Sequence, residues 1–451
     1  LIEMPKNDYQ PRYADARLGS FNQQITDLTS TEVAPYRDVI NRWHLVKKDP
    51  SAALSEPVKP ITYWIENTTP LAWRPTIRSA ALEWNKAFEK AGFRNAVEVK
   101  IQPDDADWEA GDLRYNVLRW TSSPNPPFGG YGPSFANPRT GQLLGADIML
   151  EFSFLNRSTL ARELIQGESV STTFTLWPSD HHCGVSHVLG LGGAFAELAV
   201  KAAGGSAQIE EQLTRDRLYY LILHEIGHTL GMNHNMKATQ LLSRDQISDP
   251  SVKATGILAG SVMDYPAINL PPKKEIKVQY EQVEPGPYDL WAIEYGYSVG
   301  FEDADEEEQR LQQILMKSVM PEHTFGNDAD DMRSPGKATD PRINVGDLSS
   351  DAITYSVQQI KLAESIMPQL LNRYGHDQHS YEPLRKSFAL LFGSYGKNGG
   401  IISRYIGGVY VERFMPGLSN GKPYQAVPAA EQRRAMGALA THIFAPNAFK
   451  I

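Results

Sequence analysis

The apolar positions of this chain follow two periods, and the switches between them lay out its elements. Ile61-Thr62-Tyr63-Trp64-Ile65 is a β-rich run ended by Asn67 and Pro70, which predicts a strand. Ile77, Ala81, Trp84, Phe88 and Ala91 then recur at helical spacing and stop at Gly92, so a helix is expected over 74–91. Residues 97–102 and 116–120 read as further short strands. Strand candidates at 131–136 and 143–152 flank Asn137-Pro138-Arg139-Thr140-Gly141, a stretch that favours a turn. Pro133 cannot donate a ladder hydrogen bond and so demotes the first of these strands to a sheet edge. From about Thr214, Leu218, Leu221, Ile222, Ile226 and Leu230 are apolar around most of a helix, and such a helix is buried. Residues 288–295, 353–374, 381–395 and 432–444 predict helices further on. Residues 1–35, punctuated by Pro5, Pro11, Gly19 and Pro35, show neither period and read as an extended lead-in. A strand is expected over 39–47 and a loop over 50–60.

The buried helix carries the chemistry. Its sequence runs Leu221-Ile-Leu-His-Glu-Ile-Gly-His-Thr-Leu-Gly-Met-Asn-His-Asn235. His224 and His228 are four apart, which stacks their imidazoles on one helical face where both reach one ion. Glu225 follows the first histidine directly, which suits a general base acting on water at the metal. Gly231 stands where a left-handed helix end favours a residue without a Cβ, and the chain can then bend back to bring His234 to the same ion. Three neutral imidazoles would leave a fourth position for water. A chance match on an amphipathic helix is the competing explanation, and the added glycine and third histidine weigh against it.

Downstream lies Ser261-Val262-Met263-Asp264-Tyr265-Pro266. Together with the histidine motif it resembles the metzincin clan of zinc endopeptidases, H-E-x-x-H-x-x-G-x-x-H followed by a methionine-containing turn. The resemblance is specific over 224–234 and 261–265, softer over 57–300, and beyond that extends only to large bacterial zinc-dependent metalloproteases with extra domains. It implies an α+β fold, a twisted mixed sheet with long helices and the histidine helix below a cleft, followed by a mainly α C-terminal region. It gives Met263 the role of a hydrophobic floor beneath the histidines. Tyr265 is similar to the tyrosine that faces the metal in astacins and serralysins, where it can hold the oxyanion; a buried tyrosine capping the turn is the alternative. By the same resemblance Gly132, Pro133, Ser134, Phe135 and Ala136 form the edge that pairs with an extended substrate, against the alternative of an ordinary surface hairpin.

Length and charge add limits. At 451 residues the chain suggests two or three domains, expected as a lead-in over 1–56, a catalytic domain over 57–300 and a mainly helical domain over 301–451, with the boundary at the acidic run 302–308. A formal charge of −9 argues against a nucleic-acid partner, and no apolar run is long enough for a transmembrane segment. The opening Leu1-Ile2-Glu3-Met4 has no initiator methionine or leader, so a fragment or processed form with an upstream domain or propeptide is expected. An extracytoplasmic location follows from the resemblance alone, since Cys183, the one cysteine, leaves the compartment open.

Two other clusters are candidates for metals. His181-His182-Cys183 with His187, inside an insertion over 153–207, has ligands that suit zinc but no standard spacing, so a loop is preferred. Asp328, Asp330, Asp331, Asp340 and Asp347 are a candidate oxygen cage for Ca2+, without the EF-hand order. The function expected is a zinc-dependent endopeptidase acting on a peptide or protein substrate. The rivals are a non-catalytic adhesion or scaffold protein on a metzincin body, and a zinc hydrolase of a small amide or cell-wall peptide.

Overall fold

The computed structural model describes residues 4–122, 130–151, 185–270, 278–327, 339–374, 380–413, 415–419 and 421–448. Its centre is a five-stranded mixed sheet. Strands β3 (Ile61–Ile65), β4 (Val97–Ile101), β5 (Asn116–Thr121), β6 (Gly130–Tyr131) and β9 (Ile148–Glu151) lie in the order β4-β3-β5-β9-β6, all parallel except the terminal β6. Helix α1 (Arg74–Lys90) crosses from β3 to β4 and turns Ile77, Ala80, Ala81, Trp84, Ala87 and Phe88 inward. Gly92, at φ +86°, ends that turn as the spacing predicts.

The hairpin candidate is more broken than its pattern suggests. Instead of one strand over 131–136, β6 stops at Tyr131 and β7 (Ser134–Ala136) pairs with β8 (Leu143–Ala146) in a separate ribbon. The division falls at Gly132 and Pro133, since proline has no N–H with which to continue the ladder. Likewise the strand expected over 143–152 is two, β8 and β9, separated at Asp147.

The lead-in also differs from expectation. Residues 1–35 contain β1 (Asn22–Thr26), paired antiparallel with β2 (Tyr36–Ile40), which lies earlier than the strand expected over 39–47. Asn-Gln-Gln-Ile-Thr has no apolar alternation, because backbone pairing and not a buried face holds this strand.

Helix α2 (Val185–Ala202) fills most of the described part of the 153–207 insertion, and the long helix α3 (Ala207–Thr229) begins seven residues before the expected start. His181, His182 and Cys183 lie outside the described residues, as does the side chain of His187. Helix α4 is Pro250–Thr255 and α5 is Pro287–Tyr297. The acidic run proves to be α6 (Ala304–Leu315), capped by Asp303 accepting from the Asp305 and Glu306 amides, with Ile314 and Leu315 buried. Helices α7 (Ala352–Ile366), α8 (Gln369–Tyr374), α9 (Glu382–Ser403) and α10 (Ala429–His442), with the hairpin β10 (Val409–Val411) and β11 (Tyr424–Ala426), complete the chain. Among the described residues no helix is long and apolar enough to cross a membrane.

Two large apolar clusters result, and they do not divide at residue 301. The first joins sheet, α1, the C-terminal half of α3 and α5, and runs on through Ile314, Leu315, Phe325 and Ile343. The second gathers α7, α9 and α10 around Phe195, Leu198 and Leu213, which belong to α2 and the start of α3. Helix α3 therefore spans both cores.

Candidate metal centre

The helical register brings His224 and His228 together. Their ring centroids are 4.7 Å apart and their Nε2 atoms 3.1 Å apart. Helix α3 then ends at Thr229 with Leu230 as its C-cap, and Gly231 takes φ +93°. A Cβ there would fall 1.9 Å from the Asn41 carbonyl oxygen, so the turn demands glycine twice over. The bend carries His234 back, with its ring 5.4 Å from that of His224 and 4.8 Å from that of His228. One ligand atom of each histidine lies within 4.8 Å of the other two.

The hydrogen bonds fix which nitrogens face inward. Carbonyls only accept, so the Nδ1–H of His224 donates to Val262 (2.7 Å) and that of His228 to Met232 (3.0 Å). With the protons committed there, two Nε2 lone pairs confront each other at 3.1 Å. Lone pairs that close repel unless a cation lies between them. Burial, and then the neighbouring His228 and His234, hold the His224 pKa well below the ordinary histidine range, which keeps the ring in the neutral form that a metal binds. A tetrahedral zinc with ~2.0–2.1 Å bonds sets its nitrogens roughly 3.3 Å apart. The three-histidine group is thus compatible with one zinc ion.

The surrounding shell is built from distant parts of the chain. Met263, fully buried, lies under the helix, and a Cβ on Gly227 would meet its Sδ at 2.3 Å. Asp289 on α5 accepts from the Val262 amide (2.8 Å), the Gly286 amide (2.7 Å) and the Ser261 hydroxyl, which steadies the carbonyl that orients His224. Nothing in the local pattern around Asp289 announces this, because the contact depends on a packing of α5 that the sequence does not display. The Phe21 ring lies 5.5 Å from that of His228, and the Phe21 amide donates to Gly231 O (2.8 Å). The supposed lead-in thus reaches one of the three clustered histidines.

Tyr265, Glu225 and the edge strand border the same cluster. The Tyr265 hydroxyl is 2.8 Å from His234 Nε2, so this buried phenol opens onto the site. Glu225 is fully buried, and the edge strand leaves room for it: a Cβ on Gly130 would stand 2.6 Å from Glu225 Oε1, and one on Gly132 2.7 Å from its main-chain oxygen. Ser134 and Ala136 are half-buried on β7 and Phe135 is exposed. Asp340 and Asp347 do not join them. Asp340 is clasped by Arg342 (2.7 and 3.0 Å) and lies 3.6 Å from Lys237 Nζ, while Asp347 accepts from the Thr239 hydroxyl. Two aspartates so engaged do not make the expected Ca2+ cage among the described residues; Asp328, Asp330 and Asp331 lie outside them.

A family model described as Met-zincin matches residues 206–450. A second, described as Metallo-peptidase family M12B Reprolysin-like, matches residues 131–265. The two overlap over 206–265, which holds all three histidines, Glu225, Met263 and Tyr265. No curated protein and no solved structure matches the chain.

Proposed function

We propose, from the premise that this chain belongs to the Met-zincin family, that it is a zinc-dependent endopeptidase. The family supplies the metzincin- and reprolysin-like metallopeptidase domain; the reaction and the residue roles are our reading. The observation that carries it is the pair of proton-committed imidazoles whose Nε2 atoms converge with His234, beside the buried carboxylate of Glu225.

Zinc held by His224, His228 and His234 would supply a Lewis acid that polarises the scissile carbonyl and brings the pKa of water down to about 7. Glu225 takes the proton of the attacking water as the new C–O bond forms, and hands it to the amine nitrogen as the C–N bond breaks. Its burial keeps bulk water from competing for that proton. Tyr265, with its hydroxyl at the ligand cluster, donates to the oxyanion. Gly132, Pro133, Ser134, Phe135 and Ala136 lie between and along the short strands β6 and β7 next to Glu225, where an extended peptide can add as a further strand.

The test is cleavage of a denatured-protein mixture with cut sites mapped by mass spectrometry. Cleavage should stop with a chelator and return with zinc. Glu225→Gln should keep one zinc per chain while turnover falls by about 10²–10⁴-fold. A Glu225→Gln protein as active as the parent would remove the base assignment, and a parent that binds zinc without cutting any peptide would favour the scaffold reading.

A further inference from the structure

The third ligand and the tyrosine reach their positions by help from a part of the chain far beyond the motif. After His234 the backbone is held at successive residues. The buried Asn235 side chain donates to Thr324 O (2.9 Å) and accepts from the Gly326 amide (3.1 Å). The Met236 amide donates to Gly326 O (2.8 Å), and the Asn344 amide to Met236 O (3.2 Å). Asn327 donates from its Nδ2 to the carbonyl of His234 itself (3.2 Å). Further out, the buried Lys237 ammonium donates to Val411 O and Glu412 Oε2, both at 3.0 Å.

The methionine turn is held by the same region. The Gly346 amide donates to Tyr265 O (2.6 Å), and the Ala267 amide to Asp347 O (2.9 Å). The two held pieces also bond directly, among other contacts through the Asn235 amide to Met263 O (3.0 Å). Residues 324–327 and 340–347 therefore grip both the loop that bears His234 and the turn that bears Tyr265. The 2.8 Å contact between Tyr265 Oη and His234 Nε2 depends on how those two pieces are set against each other.

We propose that residues 324–327 and 340–347 are a positioning clamp for the metal centre, with Asn327 the residue that aims His234. This rests on the reading of the three histidines as a metal site. The bond from Asn327 meets His234 at its main-chain carbonyl and not at its ring. Asn327 and its neighbours act through the backbone of a ligand, as partners behind a metal's ligands do when their loss costs about 10–100-fold in affinity. A protein cut after residue 300 would lose every bond that these later residues make, leaving the His234 loop and the methionine turn held only by the contacts within residues 1–300.

The test uses the full chain. Asn327→Ala removes the bond to His234, and Asn327→Asp keeps the shape while deleting the donor. Zinc affinity is measured by competition with a chromophoric chelator, the ligand field by the visible spectrum of the cobalt(II)-loaded protein, and folding by the thermal midpoint of the metal-free protein. Both variants should bind zinc about 10–100-fold more weakly and show an altered cobalt spectrum, with a metal-free midpoint near that of the parent. Unchanged affinity and spectrum would overturn the clamp, as would an affinity that falls only in step with the metal-free midpoint. A parent protein that takes up neither metal would instead overturn the reading of the histidines as ligands.

Discussion

The two halves of helix α3 both bury ionisable groups, yet they treat them differently. Toward the C-terminal end, His224 and His228 each give one ring proton to a carbonyl and turn the other nitrogen toward a shared point. Toward the N-terminal end, Arg217, 4% exposed, donates to Leu213 O and to Glu197 (3.2 Å). Glu281 lies nearby, 1% exposed, with neither carboxyl oxygen hydrogen-bonded among the described residues. Burial raises its pKa to about 8, partly offset by the charge of Arg217. Desolvation thus favours the neutral form at both ends. A neutral imidazole is the form that binds a metal, so under the proposed zinc reading the effect is of use there. A neutral carboxyl gains nothing from it, and its proton is only a cost deferred to higher pH.

The sharpest way to break the comparison is to remove one member from each end and measure the zinc that remains. His228→Ala should weaken zinc binding by more than the ~10–100-fold that outer partners command, because a ligand and not its support is gone. Glu281→Gln should leave zinc affinity unchanged within about twofold, since the residue reaches none of the three rings. Metal analysis of the purified variants after dialysis reads both. Retained stoichiometric zinc in His228→Ala would mean that the rings do not share one ion.

These differences bear on what the sequence could display. His224, Glu225, His228, Gly231 and His234 are legible because helical period and a left-handed turn are local, and eleven consecutive positions determine their geometry. The alternation and spacing that announce β3, α1, β4 and β5 are local too. Asn327 and Gly346 act across sequence separations of 93 and 81 residues, and no period links them to His234 or Tyr265. The β1 strand escapes notice because its side chains bury no face. At Gly193 in helix α2 a Cβ would fall 1.4 Å from Arg217 Nη1, a close approach that only the packing reveals. The acidic run 302–308 suggests a boundary for the same kind of reason: charge on one helix face is visible, whereas the burial of Ile314 and Leu315 on the other depends on partners elsewhere.

A smaller effect, confined to the N-terminal end, comes from pH. The Glu281 carboxyl has a folded pKa of about 8 against an ordinary value of 4.5. Between those values the unfolded chain has released its proton while the folded chain keeps it, so stability falls as pH rises through the window and the full penalty stands above about 8. Its size is on the order of a few kcal/mol. Glu281→Gln cannot ionise, so urea midpoints taken at pH 5 and pH 9 should fall less for the variant than for the parent. Asp289 and Asp347, both raised to about 7 by burial, lose stability over part of the same window and should contribute equally to both proteins. Equal slopes in parent and variant would show that Glu281 has no part in the pH dependence.

The smallest effect concerns the other end, where Gly227 gives the methionine floor its room. Replacing a mid-helix glycine by alanine ordinarily gains up to about 1 kcal/mol, because alanine loses less backbone freedom. Here the new methyl would lie 2.3 Å from Met263 Sδ and 3.0 Å from Trp84 Cζ2, and both neighbours are fully buried. Overpacking of that kind costs about 1–3 kcal/mol, so the two terms nearly offset and Gly227→Ala should be net destabilising by roughly 1 kcal/mol. Since the sum alone is ambiguous, the decisive measurement is a double-mutant cycle with Met263→Val, whose shorter side chain vacates the Sδ position. Relief of the clash makes the double variant more stable than the two single changes added together, by an amount that zero coupling would exclude. A helix whose glycine answered only to propensity would instead be stabilised by alanine whatever stood at 263. The cycle therefore tells whether the floor beneath the histidines is set by contact with this turn of α3.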